Sequence, residues 1–171
     1  RAGADGVVVA DVPLEEAGPF CKAAQMSGID PILFISQTTS PERLEKILDS
    51  AEGFVYLVAA MGVTGARDSI TPDSISLIHR VKELSRLPVV PGFGISSADH
   101  VRTHALAGAD GVIVGSAIVR LVGDYAGRGL EMESALSRFV GELKTAALEG
   151  HRDSPEVFQE RKNSSVSRTG F

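Results

Sequence analysis

Short apolar runs alternate with longer segments of helical spacing along most of this chain. The runs lack the polar positions that a half-exposed strand would show, so they predict strands buried on both faces. Five such runs occur, at residues 7–9, 32–35, 54–59, 89–90 and 112–114. Buried strands that alternate with helices predict a parallel sheet with helices on its outside.

The segments between the runs carry apolar residues at i, i+3, i+4 and i+7, which is the spacing of one helix face. The stripes are Ala17, Phe20, Cys21 and Ala24, then Leu44, Ile47, Leu48 and Ala51, then Leu77, Ile78, Val81 and Leu84. Ser40 before Pro41 predicts a helix N-cap, and Ser96 with Asp99 resembles a capping box. A short apolar helix is predicted at residues 117–119.

A last long helix is predicted from about Met132 to Leu148. Its buried face would hold Ala135, Leu136, Phe139, Val140 and Leu143. The chain turns polar after Gly150. Residues 1–149 are therefore predicted to form the folded unit and residues 150–171 a disordered tail, with a docking peptide as the alternative for the tail.

Residues 2–9 return almost letter for letter as residues 107–114. In each copy, a glycine able to adopt a left-handed conformation ends a helix, and a tight turn leads into a strand. Such units fit an open doubly wound sheet or a β/α barrel, and the internal repeat favours the barrel. Because closure takes eight strands, we expect this chain to supply about the last five units of a (β/α)8 TIM barrel, with about three more before Arg1.

Composition narrows the class of protein. The chain has 171 residues, 43% of them hydrophobic, and a formal net charge of −5. These values favour one globular domain and argue against nucleic acid as a partner. No apolar run has the length of a membrane span and no secretory leader is recognisable, so a cytoplasmic protein is expected.

Metal and redox chemistry find little support. Cys21 is the only cysteine, which predicts no internal disulfide and no thiolate metal site. The histidines, His79, His100, His104 and His151, fall on predicted helices or in the tail, where solvated side chains are expected. No G-x-G-x-x-G motif follows a predicted strand, so no dinucleotide site is expected.

Two glycine clusters follow consecutive predicted strands. Gly92 and Gly94 come after residues 89–90, and Gly115 with Ser116 comes after residues 112–114. Barrel active sites lie at the carboxyl ends of the strands, where amides left open by missing side chains bind phosphate. The clusters therefore predict a phosphate site to which Ser116 adds a hydroxyl. Tight turns are the alternative explanation for any one of these glycines.

Other strand ends carry weaker candidates. The long connection at residues 62–71 predicts a lid, or alternatively a plain solvent loop, and Thr64 is the hydroxyl by which a lid would organise a catalytic group. Asp11 follows the first run and would orient a neighbouring loop or transfer a proton. Tyr56 would either fill the core or contact substrate. Phe93, between glycines, suits a flat aromatic portion of a ligand.

Four motifs in order, at residues 9–16, 62–66, 92–96 and 115–119, resemble the α chain family of tryptophan synthase, over about residues 2–148. That family forms a β/α barrel and is a lyase of tryptophan biosynthesis. It cleaves indole-3-glycerol phosphate to indole and glyceraldehyde 3-phosphate. It has no cofactor of its own, and it passes indole to a pyridoxal-phosphate β chain in an α2β2 tetramer.

The resemblance also implies roles for individual residues. The substrate phosphate would be held by Gly65, Gly94, Gly115 and Ser116. The indole pocket would be lined by Phe93 and Tyr56, with Ala10, Phe34 and Ile113 as apolar neighbours. Thr64 would position a catalytic aspartate from the lid. The β chain would be faced by the turn that contains Asp11, Pro13 and Glu15.

One departure from the family pattern is large. The glutamate and aspartate that transfer protons in the family would precede Arg1, and no acid in this chain replaces them. Such groups supply about 10² to 10⁴ in rate each, so the chain alone is expected to be inactive. The alternatives are another phosphate-binding barrel enzyme, such as a sugar-phosphate epimerase or isomerase, and a non-catalytic half-barrel that binds a partner.

Overall fold

The computed structural model describes residues 3–58 and 70–154. In this part of the chain, one parallel sheet contains β1 (Gly6–Val8), β2 (Asp30–Ser36), β3 (Val55–Val58) and β4 (Val89–Pro91). The helices are α1 (Ala17–Met26), α2 (Pro41–Ser50), α3 (Pro72–Lys82), α4 (Ala98–Leu106), α5 (Ser116–Asp124) and α6 (Gly129–Asp153). A 3₁₀ turn at Leu14–Glu16 precedes α1.

The order of the strands in the sheet is the same as their order in the chain, and each neighbouring pair is parallel. A doubly wound sheet reverses its order at a switch point, whereas a barrel adds each strand beside the previous one. The described sheet therefore has the winding of a barrel segment.

The main core lies between one face of the sheet and the helices that follow the strands. Leu33, Ile35, Val55, Leu57 and Val89 are buried there against residues of α1, α2 and α3. Because successive strand residues point to opposite faces, the alternate positions lie on the other side of the sheet. That second face is only partly buried in the described residues, and it carries Phe34 and Tyr56.

The prediction of a strand at residues 112–114 is wrong, because these residues form no regular strand. Asp110 donates its N–H to the carbonyl of Val89 at 3.0 Å, and Ile113 donates to the carbonyl of Pro91 at 2.9 Å. The segment therefore advances three residues while β4 advances two. This extra residue interrupts the evenly spaced hydrogen bonds of a parallel pair, as a β-bulge does. Residues 110–113 nevertheless lie beside β4.

The local turn signals are confirmed with one correction. Gly108, which follows α4, and Gly3 in the matching repeat have φ of +92° and +80°. Ser40 caps α2 as predicted. The cap of α4 is Ser97 instead of Ser96, because the Ser97 hydroxyl accepts the N–H of His100 at 3.3 Å.

The last helix is longer than predicted. The structure extends α6 to Asp153, and Gly150 is buried, so the first residues of the predicted tail are helical. Residues 155–171 lie outside the described residues. Val140, predicted to be buried, is 48% exposed because it lies at the rim of the stripe formed by Ala135, Leu143 and Ala146. None of the described helices has the length and apolar character needed to cross a bilayer.

Candidate active site

Two aromatic rings lie side by side on the sheet face that the helices do not cover. Phe34 of β2 and Tyr56 of β3 are register partners, and their ring centroids are 5.1 Å apart with the planes inclined by 42°. Both side chains are half-buried. The pair forms an apolar wall on the face of the sheet that would be the interior of a barrel.

A cavity of about 280 Å³ opens at the carboxyl ends of β1, β2 and β3. Ala10, Phe34 and Val58 contribute apolar lining, and Ser36 and Thr39 contribute hydroxyls. The Ser36 N–H donates to the Thr39 hydroxyl at 3.0 Å, which fixes this rim. The sequence predicted no role for Ser36 or Thr39, although their position at the carboxyl end of a strand was the available signal.

The turn that follows β1 is tied to α2. The Glu15 carboxylate pairs with the Arg43 guanidinium, and Arg43 also lines the cavity. Backbone hydrogen bonding, followed by the bond from Arg43, lowers the pKa of Glu15. Asp11 and Pro13 in the same turn are exposed. The turn therefore presents an accessible surface, but Glu15 already has a charged partner within the chain.

Gly92 does not offer a free amide, so that part of the phosphate prediction is wrong. Its N–H donates to the carbonyl of Leu57 at 3.0 Å and continues the pairing of β3 with β4. A Cβ at this position would lie 2.6 Å from Cζ of Tyr56. Gly92 therefore makes room for the Tyr56 ring and shapes the aromatic wall.

Gly94 lies at the crest of the next turn. Its φ of +67° favours glycine, it is exposed, and a Cβ built on it would meet no atom within 4 Å. Phe93 on one side packs against the main core, and Ile95 on the other is 4% exposed in a second cluster with Val101 and Leu143. The neighbours anchor the turn and leave Gly94 open to a ligand.

The start of α5 provides the second cluster. Gly115 is the N-cap and Ser116 the first helical residue, and both are exposed, with open space where a Gly115 Cβ would lie. No side chain caps this helix. The first amides and the positive end of the helix dipole therefore suit an anion. Ile113, also a predicted site residue, is half-buried beside β4.

The prediction that all four histidines are solvated is wrong for His104, which is 1% exposed. Its Nδ1 lies 2.8 Å from the carbonyl oxygen of His100, and burial lowers the pKa of the ring. The ring of Phe93 meets it nearly edge-on, with centroids 5.9 Å apart. His104 lies three residues after Val101 and next to Ala105, the other buried residues of α4, so helical spacing was the available signal.

Thr64 and Gly65, predicted in the lid, lie outside the described residues. Within residues 3–58 and 70–154, no group of three or more His, Cys, Asp or Glu side chains could hold a metal ion. The described candidates thus fall into two groups that flank Tyr56: the apolar residues at β1 and β2, and the exposed turns after β4 and before α5.

A sequence profile described as "Tryptophan synthase alpha chain" matches residues 1–148. The chain belongs to the tryptophan synthase α chain family. The α chain of Methanoregula boonei is 49% identical over 147 residues, covering 86% of this chain and 56% of that protein. The α chain of Methanothermobacter thermautotrophicus is 45% identical over 150 residues, covering 88% and 56%. The chain therefore spans about half the length of the curated relatives it matches.

Solved structures of the family have the same fold. The chain is similar to one in the tryptophan synthase α2β2 complex of Pyrococcus furiosus, with a TM-score of 0.75 and 39% identity. That similarity covers 84% of this chain and 56% of the solved chain. A parallel sheet wound in sequence, matched over about half of a family barrel, confirms the prediction of a partial TIM barrel.

Proposed function

We propose that this chain forms part of a tryptophan synthase α subunit, a lyase that cleaves indole-3-glycerol phosphate to indole and glyceraldehyde 3-phosphate. The observation that carries the proposal is the position of the paired Phe34 and Tyr56 rings on β2 and β3, next to β4, after which Gly94 is exposed. One polar end and one flat apolar end match the two ends of this substrate.

In this proposal, backbone amides and the Ser116 hydroxyl hold the phosphate, together with Gly65. Phe34 and Tyr56 form one wall of the indole pocket, with Ala10 and Ile113 as apolar neighbours. Thr64 acts from the lid. Binding an anion by fixed amides needs no counter-charge in the chain, because the dipoles are already oriented.

The chemical step needs an acid that protonates the indole ring carbon and a base that removes a proton as the carbon–carbon bond breaks. We propose that both are carboxylates outside this chain, near the second strand of the complete barrel. No cofactor takes part, and pyridoxal phosphate belongs to the β chain. The exposed turn containing Asp11 and Pro13 would face that partner.

A hybrid enzyme tests the proposal. The residues of the Methanoregula boonei relative that precede its matching region would be joined to this chain, and indole release from indole-3-glycerol phosphate would be measured. We expect the hybrid to form indole, and this chain alone to form none. The relative's own enzyme serves as the positive control.

A hybrid that folds, by its circular dichroism, but forms no indole contradicts the proposal. Turnover of ribulose 5-phosphate by the same hybrid would favour a sugar-phosphate epimerase or isomerase instead. Binding of the relative's β chain provides a second test. If the hybrid is an α subunit, it should bind this β chain, and hybrid variants at Asp11 or Pro13 should bind it less tightly.

A further inference from the structure

The helix α4 carries two histidines, one turn apart, that contact the two ends of the same loop. His100 Nδ1 lies 3.4 Å from both the backbone N and the Oγ of Ser96. His104 lies edge-on to the ring of Phe93. Between these two anchor points, Gly94 is exposed with its positive φ. One helix therefore holds both sides of the turn that carries the candidate phosphate contact.

The contact of His100 with Ser96 resembles a capping box. His100 is the third residue after the N-cap Ser97, the position from which Glu or Gln commonly reaches back to a backbone N–H. To accept the N–H of Ser96, His100 Nδ1 must be unprotonated. Because that N–H is engaged by His100, an arriving anion would be met by Gly94 and by the start of α5.

The contact of His104 with Phe93 is fixed by the helix itself. Nδ1 of His104 faces the carbonyl oxygen of His100 at 2.8 Å, so this nitrogen carries the proton and donates it. Nε2 is buried without a hydrogen-bond partner among the described residues. The ring therefore has one orientation, and it sets the surface against which Phe93 rests.

We propose that His100 and His104 are positioning residues for the phosphate-binding turn, the first through Ser96 and the second through Phe93, which directly precedes Gly94. This inference rests on the proposed function. Neither histidine is placed against the substrate, so each acts through a loop residue. Substitution of either should accordingly weaken phosphate binding and spare indole binding.

The test uses the hybrid enzyme with inorganic phosphate and indole as separate probes. We expect His100→Ala to raise the dissociation constant for phosphate about three- to tenfold, the range for loss of one or two modest hydrogen bonds, with indole binding unchanged. His100→Gln should recover most of the affinity, because its amide oxygen can accept from Ser96. His104→Leu should likewise weaken phosphate binding, because Phe93 loses its support, and should leave indole binding unchanged.

The exposed His79 on α3 provides a matched control, and His79→Ala should change neither probe. Catalysis gives a further readout: His100→Ala should raise KM for indole-3-glycerol phosphate with little change in kcat. A purely structural role would instead weaken both probes together and lower the melting temperature in parallel. Equal weakening of both probes, or an unchanged dissociation constant for phosphate in His100→Ala, would overturn the inference.

Nitrogen NMR of the unsubstituted hybrid tests the same inference without any variant. We expect the neutral ring of His100 to carry its proton on Nε2 and that of His104 on Nδ1, and the opposite tautomer at His100 would overturn the inference. A hybrid that binds both probes but forms no indole would contradict the proposed function. The phosphate and indole affinities of the variants would still decide whether the histidines position the turn.

Discussion

The ring of Tyr56 occupies the space in which a side chain at position 92 would lie. Tyr56 is on β3, and Gly92 directly follows β4, whose Val90 is the register partner of Tyr56. A Cβ on Gly92 would come within 2.6 Å of Cζ of Tyr56, closer than real contacts allow. The glycine is therefore part of the aromatic wall, although it contributes no side chain to it.

Gly92→Ala should displace the Tyr56 ring and weaken binding at the indole end. Overpacking of this kind lowers the free energy of unfolding by about 1 to 3 kcal/mol. Displacement of the ring should also weaken substrate binding. We expect KM for indole-3-glycerol phosphate to rise in the hybrid enzyme, and the midpoint of urea unfolding to fall.

The control for this prediction is a double-mutant cycle. In a Tyr56→Ala background, the space is vacant, so Gly92→Ala should cost almost nothing in stability. Additive losses from the two substitutions would show that the residues do not interact, contrary to the observed overlap.

Gly115→Ala and Gly94→Ala should separate the binding role of a glycine from its conformational role. Gly115 has a negative φ and open space around a new Cβ, so its alanine variant should keep its stability and lose phosphate affinity. Gly94 has a φ of +67°, so its alanine variant should lose about 1 to 2 kcal/mol of stability as well. Phosphate titration and urea unfolding of both variants measure the two effects. Unchanged phosphate affinity in Gly115→Ala would contradict its placement in the site.

Much of the site could be predicted because strand ends are visible in the sequence. The apolar runs end where β1, β2 and β4 end to within a residue or two, so the residues that follow these runs, Gly94 among them, could be assigned to one edge of the sheet. The sequence repeat also identified the left-handed Gly108. These signals are local, and each depends on one residue type at one position.

The missed features depend on packing between distant segments. Helical spacing places His104 on the same face of α4 as Val101 and Ala105, but it cannot show that Phe93 from the turn after β4 packs on the ring. Likewise, the sequence suggested an open amide at Gly92, but its N–H is taken by the carbonyl of Leu57 on the neighbouring strand. The pairing of Arg43 with Glu15 joins two elements whose sequences carry only ordinary surface charges.

The buried His104 predicts a loss of stability in acid. Its pKa is lowered by burial from an ordinary value of 6.5, so the unfolded state binds the proton more readily. The contribution of His104 to the free energy of unfolding is fully present above about pH 6.5. It decreases as the pH falls toward the pKa of the folded state, by at most about 1.4 kcal/mol per pH unit. Urea unfolding at pH 7.5 and 5.5 should show a smaller difference for His104→Leu than for the unsubstituted hybrid. His79→Leu is the control, and an equal change in it would contradict the assignment to His104.

The close approach of α6 to α4 at Gly150 gives the last prediction. A Cβ on Gly150 would lie 2.8 Å from both the carbonyl oxygen of Arg102 and the Cβ of Ala105. Since neither atom can move without the helix, Gly150→Ala should cost about 1 to 3 kcal/mol.

Two matched variants test whether this cost comes from the helix contact. Gly141→Ala, on the same helix in open space, should stabilise by about 0.5 to 1 kcal/mol, because alanine favours helix over glycine. Arg102→Ala should lose no more than about 1 kcal/mol, because its pairs with Glu149 and Asp153 are about half exposed. If Gly150→Ala proved as stable as Gly141→Ala, α6 would not pack on α4 at this point. The helical turn after Leu148 would then have no role in holding α4, the helix that carries His100 and His104.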